Sequence, residues 1–229
     1  MGYIISGVLF DLDGTLLDTA LDLADATNHV IKEFGATTQI SDEEAREVAS
    51  DGMRALMKRA IPESEHYKYD FDKMREPFIK YYNEHINDRT KFFPGVEELL
   101  EELKADNVPF GIVTSKPHDL TLKLISKFDI LKDLKGVAGC DIIPFSKPSP
   151  EPIFYVCKIL GISPQEVLYV GDHKRDIEAA KNAQSLSGFA KWGYIKKNED
   201  IESYGANFYI DEPKEIIGIR GCYHKGRWY

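Results

Sequence analysis

Two carboxylates spaced two residues apart, Asp11 and Asp13, follow a short apolar run and precede Gly14-Thr15. At positions i and i+2 of a chain leaving an extended strand, both side chains face the same side. Gly14 lets the backbone turn sharply beside them. One such carboxylate can attack an electrophile while the other moves a proton, a division of labour that phosphoryl transfer uses. Further along, Thr114-Ser115 supplies two adjacent hydroxyls, followed by Lys116. Hydroxyls and N–H groups at a strand-to-helix turn either hold phosphate oxygens or cap the helix. Lys147 stands before Pro148, which disfavours helix there. Asp172 and Asp176, four residues apart, read either as acids favouring a helix N-terminus or as oxygen ligands of a hard cation.

Asp11, Asp13, Asp172 and Asp176 form a costly group if they converge. Like charges ~4 Å apart repel by about 4 kcal/mol per pair at an effective dielectric of ~20. A divalent cation removes that repulsion, and an oxygen-only ligand set suits Mg²⁺. Such an ion would also bridge to a phosphate and neutralise charge developing on it. A calcium loop is a weaker reading of the same stretch. Asp11, Asp13 and Asp22 fall at loop positions 1, 3 and 12, but Leu16 occupies position 6, where the turn requires glycine.

The elements that must bring these residues together alternate. Residues 3–10 are apolar and rich in β-branched and aromatic types, as in a buried strand. Further strands are expected at 108–114, in GVAGC (136–140), at 167–170 and, more weakly, at 187–190 and 207–210. Helices are expected at 96–106, 120–128, 153–160 and 175–183. Alternating strands and helices predict an α/β fold, a Rossmann-like doubly wound parallel sheet with ligands at the carboxyl ends of its strands. Residues 18–89 carry no strand signal. Helical spacing from Leu21 to Phe34 closes at Gly35, and Ser41-Asp42-Glu43-Glu44 is a capping box. A third helix is expected from Gly52 to Ala60 and a fourth from about Ser64 to Ile86. The organisation is therefore an α/β core domain, residues 1–16 and 91–229, with an inserted all-helical cap domain at 17–90. The last residues, from Gly218 to Tyr229, read as a loose tail.

DLDGT after one strand, TS after a second, a lysine in a KPxP loop and GDxxxD after another resemble the four signature motifs of the haloacid dehalogenase superfamily, over nearly the whole chain. The resemblance implies Asp11 as nucleophile and Asp13 as acid for the leaving group, then base for water. It implies Thr114 with Ser115 on the phosphate, and Lys147 orienting both. Asp11, the Asp13 carbonyl and Asp172 would ligate Mg²⁺, with Asp176 nearby. An aspartate at 13 favours phosphatases over dehalogenating members. The cap resembles that of phosphoglycolate phosphatase-like members, which places Gly52 and Arg54, beside Asp51, at the substrate together with Ser115 and Lys116. Departures are Ser50 in place of a frequent glycine, Ser115 of asparagine, His173 of threonine or serine, and Gln184 of glycine. His173 reads as a surface residue or a support behind the ligands rather than a metal ligand.

Bulk composition narrows the partners. The 229 residues are 43% hydrophobic and 29% charged, with net charge −9. So acidic a chain lacks the basic surface that nucleic acid or anionic membrane requires. No apolar run approaches the ~18 residues of a membrane span. No basic leader precedes the first strand, although Gly2 fits a loose myristoylation pattern. Cys140, Cys157 and Cys222 form neither a disulfide framework nor a zinc cluster, which favours a reducing cytoplasm. The expected protein is a Mg²⁺-dependent phosphatase of a small phosphorylated metabolite, a monomer or homodimer, working through an aspartyl-phosphate. Pyrophosphatase, nucleotidase, sugar phosphatase and phosphomutase are alternatives with the same chemistry. A non-catalytic phosphate- or partner-binding module is the alternative from another class.

Overall fold

A computed structural model describes residues 5–223. The glycine of the myristoylation pattern and the last six residues of the expected tail lie outside them. The strands are β1 (Gly7–Phe10), β2 (Leu17–Asp18), β3 (Lys91–Phe92), β4 (Phe110–Val113), β5 (Val137–Ala138), β6 (Val167–Gly171), β7 (Leu186–Ala190) and β8 (Phe208–Ile210). Six of them form one parallel sheet in the order β5-β4-β1-β6-β7-β8. The helices are α1 (Ala20–Glu33), α2 (Asp42–Val48), α3 (Met53–Ala60), α4 (Arg75–Glu84), α5 (Val96–Ala105), α6 (His118–Ile125), α7 (Glu151–Leu160), α8 (Lys174–Asn182) and α9 (Glu215–Tyr223).

The sheet is covered on both faces, so its central strands are apolar throughout rather than alternating. Val8 and Phe10 join Ile112, Leu168 and Val170 in the core beneath Leu99, Leu100 and Leu103 of α5. Leu9 points the other way, with Val113, Val167 and Tyr169, against Ile153 and Val156 of α7 and Ala179 and Ala180 of α8. The doubly wound sheet expected from strand–helix alternation is what forms. The two weakly signalled late strands are β7 and β8. GVAGC contributes only the two-residue edge strand β5.

Helices α1 to α4 lie between β1 and α5 in the chain and pack on one another, with α1 against the other three. The capping box of α2 is present: the Glu44 N–H donates to Ser41 Oγ at 3.2 Å and the Ser41 N–H to Glu44 at 3.1 Å. An antiparallel ribbon joins this bundle to the sheet, pairing Leu17 with Phe92 and Asp18 with Lys91.

Two expectations are corrected. The helix from Ser64 to Ile86 is instead a 3-10 stretch, Glu63–Lys68, followed by a turn and α4. Tyr69 is extended (φ −120°, ψ 135°), and the Asp70 carboxylate accepts N–H bonds from Asp72 and Lys73. Pro77 then falls in the first turn of α4, where a missing N–H costs nothing; mid-helix it would have broken a bond. The expected tail is helical as far as it is described. Gly218 to Tyr223 belong to α9, whose Ile216 is fully buried and whose Arg220 pairs with Asp106 at 3.2 Å. No described helix is long and apolar enough to cross a membrane.

Candidate active site

Strand β1 sits between β4 and β6, so the chain leaves it towards neighbours on both sides and a crevice opens at their carboxyl ends. Register keeps those ends level. Phe10 pairs with both Ile112 and Val170, and the Asp11 N–H donates to the Val170 carbonyl at 2.9 Å. Asp11, Thr114 and Asp172, each just past a strand, therefore meet at one edge.

Lys147 binds them. Its ammonium lies 2.8 Å from Asp11 Oδ2 and 2.6 Å from Asp176 Oδ1, with the side chain almost wholly buried. Asp176 also accepts a hydrogen bond from the Tyr169 hydroxyl at 3.0 Å and one from the His173 N–H at 3.0 Å. Burial alone would lower the Lys147 pKa; the two carboxylates outweigh it and hold it above its ordinary value. Asp172 accepts from Thr15 (3.3 Å), the Tyr194 N–H (2.8 Å) and Ser50 (3.0 Å). Space for that carboxylate exists because position 14 is glycine. Gly14 has φ +82°, and a Cβ there would run into Asp172 and the Tyr194 ring.

Oxygens of Asp11, Asp172 and Asp176 all lie within 4.8 Å of one another and all three residues are buried. Burial, with Asp176 and Asp13 nearby, raises the Asp11 carboxyl to about 6 against the pull of Lys147. Burial first, then Asp11 and Asp176, pushes Asp172 well above the usual carboxylate range. One lysine does not neutralise three buried carboxylates. The all-oxygen trio fits a hard divalent cation, which would supply the missing charge.

Asp13 faces a different partner. Its Oδ1 accepts from Thr19 Oγ1 at 2.6 Å and lies 3.0 Å from the Lys116 ammonium. Its carboxylate thus lies outside the trio of Asp11, Asp172 and Asp176, and the role expected of Asp13 at a metal is that of its carbonyl. Lys116, expected at the substrate, is buried between Asp13 and the Tyr82 hydroxyl, 3.1 Å away. Burial would lower its pKa, but Asp13 and Tyr82 together hold it above its ordinary value. Thr114 is buried, and its Oγ1 accepts the Lys116 N–H at 3.2 Å; Ser115 is exposed in the cleft. The calcium-loop reading fails, because Asp22 caps the chain at Arg89 and Thr90 instead.

A cavity of about 250 Å³ opens above Asp11, with Asp13, Thr114, Ser115, Lys116 and Lys147 in its lining. From the helical bundle, Gly52 lines it as expected. Arg54 does not: its guanidinium pairs with Asp72 at 2.6 Å and lies over Phe71. Arg75 and Arg175 line the cavity in its place. Ser50 and Asp51, just before Gly52, reach the sheet edge. Besides Ser50 on Asp172, the Ser50 carbonyl accepts from Arg175 at 2.5 Å, and Asp51 lies 3.2 Å from His173 and 2.6 Å from Lys196.

The family model described as haloacid dehalogenase-like hydrolase matches residues 8–187. The chain belongs to that family. It is 31% identical over 215 residues to an N-acetylmuramic acid 6-phosphate phosphatase of Pseudomonas aeruginosa, covering 94% of each chain. It is 32% identical over 218 residues to a phosphoglycolate phosphatase of Chromobacterium violaceum, covering 94% of this chain and 96% of the relative. A crystal structure of a predicted phosphoglycolate phosphatase from Haemophilus somnus superposes with TM-score 0.80 at 29% identity, over 94% of this chain and 97% of that one.

In this haloacid dehalogenase-like hydrolase several supporting residues carry no sequence signal. Tyr194 donates its N–H to Asp172, while its hydroxyl donates to Asp18 and accepts from the Ala20 N–H. Trp192 donates to the Thr15 carbonyl at 2.9 Å. Both lie in a KWGY loop after β7 that resembles no motif. Gly193 is the one clue to it, since a Cβ there would meet Asp172. His173 is the N-cap of α8: its Nδ1 accepts the Arg175 N–H at 3.1 Å, and Asp176 completes a capping box.

Proposed function

We propose that the protein is a Mg²⁺-dependent phosphoric monoester hydrolase that acts on a small phosphorylated metabolite through a phospho-Asp11 intermediate. The observation that carries this reading is Lys147 set between Asp11 and Asp176, with Asp172 alongside and Asp13 held separately by Lys116. An Asp11 oxygen bonds to phosphorus as the ester P–O bond breaks, and Asp13 gives the leaving oxygen its proton. Asp13 then takes a proton from the water that attacks phosphorus, releasing phosphate and restoring Asp11. Thr114 and the Ser115 backbone hold phosphoryl oxygens, and Lys147 orients nucleophile and phosphate. When bound by Asp11, Asp172 and the Asp13 carbonyl, with Asp176 beside it, Mg²⁺ supplies positive charge to the phosphoryl oxygens.

Helices α1 to α4, within residues 17–90, act as a cap that hinges at the β2–β3 ribbon and excludes bulk water. Gly52 stands at the substrate. The relatives are named for phosphoglycolate and N-acetylmuramic acid 6-phosphate, both phosphorylated acids, and the substrate belongs with that class. The free thiols of Cys140 and Cys157 fit a cytoplasmic enzyme, monomeric or dimeric. The test is turnover across a panel of phosphate esters that includes phosphoglycolate. Asp11→Asn is expected to abolish it, and Asp13→Asn to slow it by about 10²–10⁴-fold. Undiminished rates in Asp11→Asn would refute the assignment of the nucleophile.

A further inference from the structure

The cavity has two chemically distinct ends. Asp11, Thr114 and Lys147 make one end polar. The cap side is apolar, formed by Leu23 of α1, Met53 of α3, Phe78 and Ile79 of α4, together with Leu120 of α6. A two-carbon acid whose phosphate sits at Asp11 offers that wall nothing apolar to cover it. Instead it would set a polar group against the wall, which costs free energy unless the group finds a partner. An apolar stretch in the leaving group removes the wall from water and gains in proportion to the area covered.

The cations of the lining differ in the same way. Lys147 is paired with Asp11 and Asp176, and Lys116 with Asp13 and the Tyr82 hydroxyl, whereas Arg175 donates to the Ser50 carbonyl, has no carboxylate partner among the described residues and leaves its buried Nε unpaired. Arg75, the first residue of α4, is exposed at the cavity, and among the described residues its guanidinium makes neither an ion pair nor a hydrogen bond. A planar guanidinium without a partner matches one carboxylate bidentately.

We infer that the leaving alcohol is longer than two carbons, lays an apolar stretch along the Leu23–Met53–Phe78–Ile79 wall and ends in a carboxylate bound by Arg75. This rests on the phosphomonoesterase reading above and names its substrate class. Three alkyl phosphates of similar intrinsic reactivity test it: 6-phosphonooxyhexanoate, hexyl phosphate and phosphoglycolate, each with the full chain and Mg²⁺. The hexanoate ester is expected to exceed both others in kcat/KM by about tenfold or more. Arg75→Ala lowers its kcat/KM by about tenfold and leaves hexyl phosphate within about twofold, and Arg75→Lys recovers part of the loss. A preference for phosphoglycolate, or equal losses on both six-carbon esters in Arg75→Ala, overturns the inference. Wild-type protein that turns over none of the three would instead sink the phosphatase reading, and this inference with it.

Discussion

The ammonium of Lys116 stands 3.0 Å from the Asp13 carboxylate, with only 5% and 17% of the two side chains exposed. The same ammonium lies 4.6 Å from the centroid of the Tyr82 ring, where both residues are buried. One buried cation thus joins the loop after β4, the carboxylate two residues beyond Asp11 and helix α4 of the inserted bundle. Removing one member of a buried pair strands the other charge, which costs about 3–5 kcal/mol, whereas replacing both is far milder. Lys116→Met is therefore expected to destabilise the protein by about that amount in urea unfolding. Adding Asp13→Asn to Lys116→Met should recover much of it. Simple additivity of the two losses would show that the pair is not coupled in the folded state.

A divalent cation at the carboxylate trio would change how stability depends on pH. The Asp11 carboxyl lies at about 6 when folded, against 3.8 as its ordinary value. A folded pKa above the unfolded one contributes stability that is complete below about pH 4 and is lost as the pH rises through about 6. Asp172 is raised as well and acts in the same direction. In excess chelator, stability should therefore fall by an amount on the order of 2–3 kcal/mol across that window. Saturating Mg²⁺ should abolish the fall, because a cation favours the ionised carboxylates. Asp172→Asn should raise the melting temperature in chelator and remove most of the Mg²⁺-dependent increase. Thermal melts at about pH 4, 5, 6 and 7 with and without Mg²⁺ decide this; flat, metal-independent profiles would count against a cation at the trio.

Asp51 clasps the cap to the sheet edge. His173, and then Lys196, hold its carboxyl down at about 2 against the opposing effect of burial. Asp51→Ala removes both contacts, leaving Ser50, among the described residues, as the remaining polar link between that turn and the strand ends. The expected result is faster hydrogen exchange in the β2–β3 ribbon and at Ala49–Asp51, with exchange in β1 and β6 unchanged. KM should rise a few-fold, because a smaller fraction of the protein is closed before substrate binds. Unaltered exchange in the ribbon would mean that other contacts keep the cap shut.

The parts of the site legible in the sequence are those written in local order. Asp11, Thr114 and Asp172 each end a buried apolar strand, and parallel strands in register must bring such ends to one edge. Gly14 is legible because only glycine accepts φ +82° that close to another side chain. The late start of α4 at Arg75 is not, because Pro77 marks a helix start as readily as a break. Arg54 is not either, since helical order gives the face of a residue and not the partner it will find. Asp72, far enough along the chain to escape a local reading, draws it away from the cleft.

By itself the sequence determined the doubly wound sheet, the helical insert and the acidic residues gathered at the strand ends, because strand period, helix period and turn chemistry act over a few neighbouring residues. Tertiary structure alone decided that Lys116 serves Asp13, that Tyr194 and Ser50 hold Asp172, and that Arg75 rather than Arg54 reaches the cavity. Each of those contacts joins segments that meet only when the insert packs over the sheet. Which side chain fills the shared space is settled by burial and by competition for hydrogen-bond partners, and neither is encoded in local spacing.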